Sequence, residues 1–99
     1  MSELNYLGKR FIKDETFVSR KIGNTFIVVP IKRKASEIES IYKFDEVSSR
    51  IWELVDGEKR VEQIRDTIVD EFEVGQEEAG KDLVGFLQQL ESIGAVKEI

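Results

Sequence analysis

Neither cysteine nor histidine occurs in this chain. The first absence excludes disulfides, thiolate zinc sites, iron–sulfur ligation and a thiol nucleophile. The second removes the side chain most used for proton transfer near neutral pH and for holding transition metals. Long apolar runs are also missing: FIVVPI, residues 26–31, is the longest, far short of the ~20 residues that span a bilayer. The opening MSELNYLGKRFIKDE is broken by charges and lacks the apolar core of a secretory signal. A cytoplasmic address and no membrane partner are therefore expected. Cations are outnumbered, 15 Lys and Arg against 20 Asp and Glu, for a net charge of −5. Nucleic acid is accordingly not expected as a partner, since phosphate binding needs a basic surface from which counterions are released.

What is present is a soluble globular composition, 40% hydrophobic and 35% charged, at a length of 99 residues that one core can serve. A single domain over 1–99 is expected, with 1–16 as an irregular N-terminal arm covering some apolar surface. TFVSRKIGNTFIVVPI reads as a hairpin with strands near 17–22 and 25–31 around Gly23-Asn24, a dipeptide suited to a tight turn. The second strand is apolar on both sides and predicts a central strand covered on both faces. A third strand, EIESIYKF at 37–44, reads as an edge, and Lys32, Arg33 and Lys34 form the loop before it.

In FDEVSSRIWELVDG, residues 44–57, Asp45 is placed to cap a short helix that Asp56-Gly57 ends. Val47, Ile51, Leu54 and Val55 form its apolar stripe, with Trp52 off the stripe and free to reach a neighbouring element. Val61, Ile64, Ile68, Val69 and Phe72 mark a second helix. A third runs from about Gln76 to Ile93, with Ala79, Leu83, Phe86, Leu87, Leu90 and Ile93 buried and Gly94 as its stop. AVKEI closes the chain as a strand. The predicted order is β-β-β-α-α-α-β. This is an α+β domain of winged helix-turn-helix type, with an N-terminal three-stranded antiparallel sheet, three helices and a short C-terminal strand.

Catalytic chemistry finds little support. The acidic pairs Asp70/Glu71, Glu77/Glu78 and Glu37/Glu39 read as solvated faces, because adjacent helix residues diverge. Ser48 and Ser49 have no histidine base and suit a helix start. No phosphate-cradling loop or spaced ligand set occurs, so neither cofactor nor metal is expected. Glu77, Glu78, Asp82 and Glu91 against the lone Lys81 would repel DNA from the third helix. Gly80 within that helix costs about 1 kcal/mol relative to Ala, either as drift or because another backbone approaches there.

The runs YKFDEVSSRIWELVDG, VEQIRDTIVDEFEV and EEAGKDLVGFLQQLESIGAV, in that order and spacing, resemble the PqqD-like family, pyrroloquinoline quinone synthesis protein D and its relatives. The resemblance covers roughly residues 17–99. Phe44-Asp45 departs from the family's common Leu-Asn, and Arg60 stands where Ser or Thr often caps the second helix. The resemblance implies a non-enzymatic recognition element for ribosomally made, modified peptides. Such a chaperone holds a precursor's leader segment and presents it to a modifying enzyme, often a radical-SAM enzyme, in pathways such as pyrroloquinoline quinone biosynthesis. It further implies that the leader adds as a strand beside the third strand and lies against the third helix.

Main-chain pairing is accordingly expected along Glu39, Ser40, Ile41, Tyr42, Lys43 and Phe44, with contacts from Gly80, Lys81, Val84, Leu87 and Glu91. The leader is expected to supply apolar anchors, with an acidic residue near Lys43 or Lys81. Two other readings are a winged-helix DNA-binding regulator using residues 32–34 and the third helix, and a structural module that forms a homodimer by exchanging its N-terminal arm.

Overall fold

The computed structural model describes residues 3–31 and 41–99. Its elements are α1 (Glu3–Leu7), β1 (Phe11–Lys13), β2 (Phe17–Ile22), β3 (Thr25–Pro30), β4 (Tyr42–Lys43), α2 (Glu46–Leu54), α3 (Val61–Phe72), α4 (Gln76–Ser92) and β5 (Val96–Glu98). The loop at 32–34 and the first half of the strand expected over 37–44, residues 37–40, lie outside the described residues. Among the described residues no helix is long and apolar enough to cross a membrane.

Strands β2, β3 and β4 form an antiparallel sheet in that order. In its tight turn Gly23 takes φ +64° while Asn24 does not enter the positive-φ region, the pattern of a II′ rather than a I′ hairpin. Register places Val18, Arg20 and Ile22 opposite Val29, Ile27 and Thr25 on one face. Phe17 and Val28 are buried on the other, where α2 packs. The expectation that β3 is covered on both faces is thus corrected. Helices cover one face of the sheet, and no described element covers the opposite one, where Val18 and Ile22 are exposed.

The N-terminal arm has more structure than its irregular sequence predicts. β1 pairs antiparallel with β5, Ile12 opposite Lys97, as a separate two-stranded sheet. The arm also satisfies the first amide of α3 and one in the turn after α2: Lys9 O accepts from Val61 N at 2.9 Å, where α3 begins, and Phe11 O accepts from Gly57 N at 2.9 Å. Gly57 has φ +83°, a left-handed conformation that favours glycine in the turn after α2. Buried Tyr6 and Phe11 stack at 6.0 Å.

One core joins these parts through Ile51, Trp52, Val55, Val61, Ile64, Leu83, Leu87 and Leu90. Trp52, expected off the stripe of its helix, is 1% exposed. A two-turn helix packed on a sheet below and on α3 beside it buries a wider arc than its apolar stripe alone. The Lys13 ammonium lies 5.2 Å from the Trp52 ring and donates to Val55 O at 2.9 Å. Burial pushes the Lys13 pKa down, against the opposing pull of Asp56 and Glu53.

Candidate functional site

Strand β4 is an edge of its sheet among the described residues, and its hydrogen-bonding parity follows from one contact. Phe44 N donates to Phe26 O at 3.0 Å, so Phe44 and Phe26 form a bonded pair. In an antiparallel ladder bonded and non-bonded pairs alternate. Tyr42, opposite Val28, therefore turns its N–H and C=O toward β3, whereas Lys43, opposite Ile27, turns its pair outward. Ile41 follows the same parity as Lys43. The free edge thus presents main-chain donors and acceptors at alternate residues, the arrangement that accepts an added strand.

This edge is held in place by α2. Asp45 caps the helix, its Oδ1 accepting from Ser48 N at 2.8 Å. One position on, buried Ser49 lets its hydroxyl accept from Phe26 N at 2.8 Å while reaching Phe44 O at 3.4 Å. The serine thereby completes the Phe26–Phe44 pair and ties strand end to helix start. Asp45 caps the helix as its position predicts, whereas Ser49, which suits a helix start by sequence, bonds to the strands instead of capping.

Between β4 and α4 lies an open groove of about 370 Å³, lined by Ile41 to Asp45, Ser48, Phe86 and Gln89. Phe44 meets the Phe86 ring edge-on at 5.0 Å and the Trp52 ring at 5.8 Å, so the groove floor is aromatic and braced by the core. A second, more enclosed cavity of about 360 Å³ shares Asp45 and Ser48 with the first. Val47, Ile51, Ile68, Val74 and Ala79 line it, with Glu78 and Asp82 beside them. The two meet at Asp45 and Ser48, the groove lying against the second half of α4 and the cavity against its first half.

The expected contact residues divide between different environments. Ile41, Tyr42, Lys43 and Phe44 line the groove, whereas Glu39 and Ser40 lie outside the described residues. Leu87, 0% exposed, and Val84, 6%, are core side chains, Gly80 is buried, and Lys81 is exposed. Glu91 accepts from the Tyr6 hydroxyl at 2.9 Å and so faces α1. Burial and this carboxylate push the Tyr6 pKa up. At 100° per residue Glu91 points about 140° away from Phe86, which explains the division. Phe86, Gln89, Asp45 and Ser48 were missed as groove residues. Phe86 was assigned to the buried stripe because apolar periodicity does not separate a core side chain from one that floors a cleft.

Among the described residues no cluster of three or more acidic, Cys or His side chains is arranged to hold a metal ion.

Fold and site define a class, an α+β domain of winged helix-turn-helix type in which, among the described residues, an open strand edge faces a helix across a groove with an aromatic floor. The family model for Coenzyme PQQ synthesis protein D (PqqD) matches residues 29–96, more than half of the chain, and the protein belongs to that family. Among solved structures it is similar to TbiB1 in complex with the TbiA(beta) leader peptide. The TM-score is 0.74 and the sequence identity 27%, and the match covers 87% of this chain and 94% of that one. No curated protein sequence matches the chain.

Proposed function

We propose that this protein is a non-catalytic peptide-recognition module that binds the leader segment of a ribosomally made precursor and presents it to a modifying enzyme. The observation that carries this reading is the outward N–H and C=O of Lys43 on an open edge facing the Phe44–Phe86 groove. The similar TbiB1 was solved with a leader peptide, which supports the same reading. The leader pairs with Ile41 to Phe44 as an added strand and seats apolar side chains against Phe86 and in the cavity over Ile51 and Ile68. Leu87, Val84 and Gly80, buried on the side of α4 turned away from Phe86, act through the fold, Lys43 and the exposed Lys81 tune the charge, and Glu91 holds α1 against α4. The modifying enzyme is of the radical-SAM class that the family resemblance implies, and a cytoplasmic address suits such a partner.

Burying an apolar anchor contributes about 1.5–3 kcal/mol, an exposed ion pair roughly 0–1, so apolar anchors set affinity and charge adjusts it. The DNA-binding reading is the weaker, because the exposed start of α4 carries Glu77, Glu78 and Asp82.

Calorimetry with synthetic leader segments of precursors encoded beside this chain's gene tests the proposal. One leader should bind, and Phe86→Ala should weaken it about tenfold or more without unfolding the domain. Failure of every leader to bind, or unchanged affinity in a folded Phe86→Ala variant, would overturn it.

A further inference from the structure

The sheet face turned away from the helices has a composition unlike the rest of the molecule. β2, β3 and β4 contain no acidic residue, although the chain has 20, and they carry Arg20, Lys21 and Lys43. Lys21 belongs to the inner parity, where it pairs with Glu53 at 3.3 Å. Arg20 and Lys43 stand on the outer face beside Ile27, and neither has an ion-pair partner among the described residues. Around them the face is apolar. Val18 is 47% exposed and Ile22 53%, and a shallow depression of about 440 Å³ runs between them over Ile27 and Val29. Ile41, 62% exposed, extends the same side by strand alternation. Contiguous exposed apolar surface of this kind, bordered by charge, marks an interaction site more often than scattered residues do.

We infer that this outer sheet face docks the modifying enzyme, through an apolar patch on that enzyme bordered by Asp and Glu. The inference rests on the peptide-recognition reading. Three observations select this occupant. Charge complementarity calls for an acidic rim, since among the described strand residues the charged side chains on this face are Arg20 and Lys43. A second copy docked face to face would set Arg20 and Lys43 against the same cations. An anionic membrane would gain about 1 kcal/mol for each of these two cations, while the net charge of −5 repels it. The face also runs into the groove: Ile41 and Lys43 belong to both, so an enzyme seated on it lies beside the strand that the leader adds. Presentation then needs no movement of the domain.

The test uses the full chain, the purified enzyme encoded beside its gene, and the leader peptide, with interferometry for the enzyme and calorimetry for the leader on the same samples. Val18→Asp with Ile22→Asp should weaken the enzyme about tenfold or more and leave the leader within about twofold. Arg20→Glu should weaken it less and flatten its salt dependence. Circular dichroism confirms folding, and the single Ile22→Asp replaces the pair if the double variant melts. The docking inference is overturned if the enzyme binds wild type and variants alike, or fails to bind wild type while the leader binds. It is also overturned if the variants abolish binding to phosphatidylcholine–phosphatidylglycerol vesicles or a sedimenting dimer and leave the enzyme untouched. Loss of leader binding by wild type sinks the peptide reading instead.

Discussion

The Ser49 hydroxyl accepts from the Phe26 amide at 2.8 Å, a bond from helix α2 to the middle strand of the sheet across 23 positions of sequence. Ser49→Ala leaves that amide without its partner in a buried site. The expected loss is about 1–3 kcal/mol in urea denaturation, with faster amide exchange at Phe26 and Phe44. Ser48→Ala, one residue away, should change stability by less than about 0.5 kcal/mol, because Asp45 caps through the Ser48 backbone.

Main-chain recognition by an edge strand has a period of two. N-methylation of a bound leader, one amide at a time, should reduce affinity strongly at alternate positions and weakly between them, since only the outward parity of Ile41 and Lys43 is available. Uniform losses along the segment would show that side chains alone hold the peptide.

Leu87→Ala tests whether a core side chain beneath the groove acts on the peptide or on the fold. Its complete burial predicts a loss of about 2–5 kcal/mol in stability. Leader affinity, measured at a temperature where the variant is folded, should change far less than in Phe86→Ala.

Acid stability depends on carboxylates held below their usual range. Lys59 Nζ, 2.6 Å from Asp56, together with the Lys59 and Glu58 amides, holds the Asp56 carboxyl well below the ordinary value. Arg50 does the same for Glu71 through paired bonds of 2.8 and 2.9 Å that join α2 to α3. A depressed folded-state pKa contributes stability above the unfolded value, about 4, and loses it as pH falls toward the folded value. These carboxylates should therefore add no slope to the denaturation profile between about pH 5 and 8, and should give a falling limb below about pH 4. Asp56→Asn should shallow that limb and cost less than about 1 kcal/mol at neutral pH, since the site is exposed.

The α+β class, the hairpin about Gly23, the Asp45 cap and the three helices are local events. They depend on alternation, helical periodicity and capping chemistry within a few residues, so the sequence by itself determined them. The edge character of β4 was legible for the same reason. What only the tertiary structure decided is where those faces point. Phe86 and Leu87 are equally apolar neighbours on α4, yet packing sends Leu87 into the core and leaves Phe86 flooring the groove with Phe44. Glu91 and Lys43 are both charged rim candidates by pattern, but Tyr6, 85 positions from Glu91, draws that carboxylate to the opposite side of the helix. The arm's pairing with β5 has the same origin, as does the outer sheet face that no described element covers. Periodicity specifies that a surface is apolar, whereas the choice of what covers it is made by contacts between residues far apart in the chain.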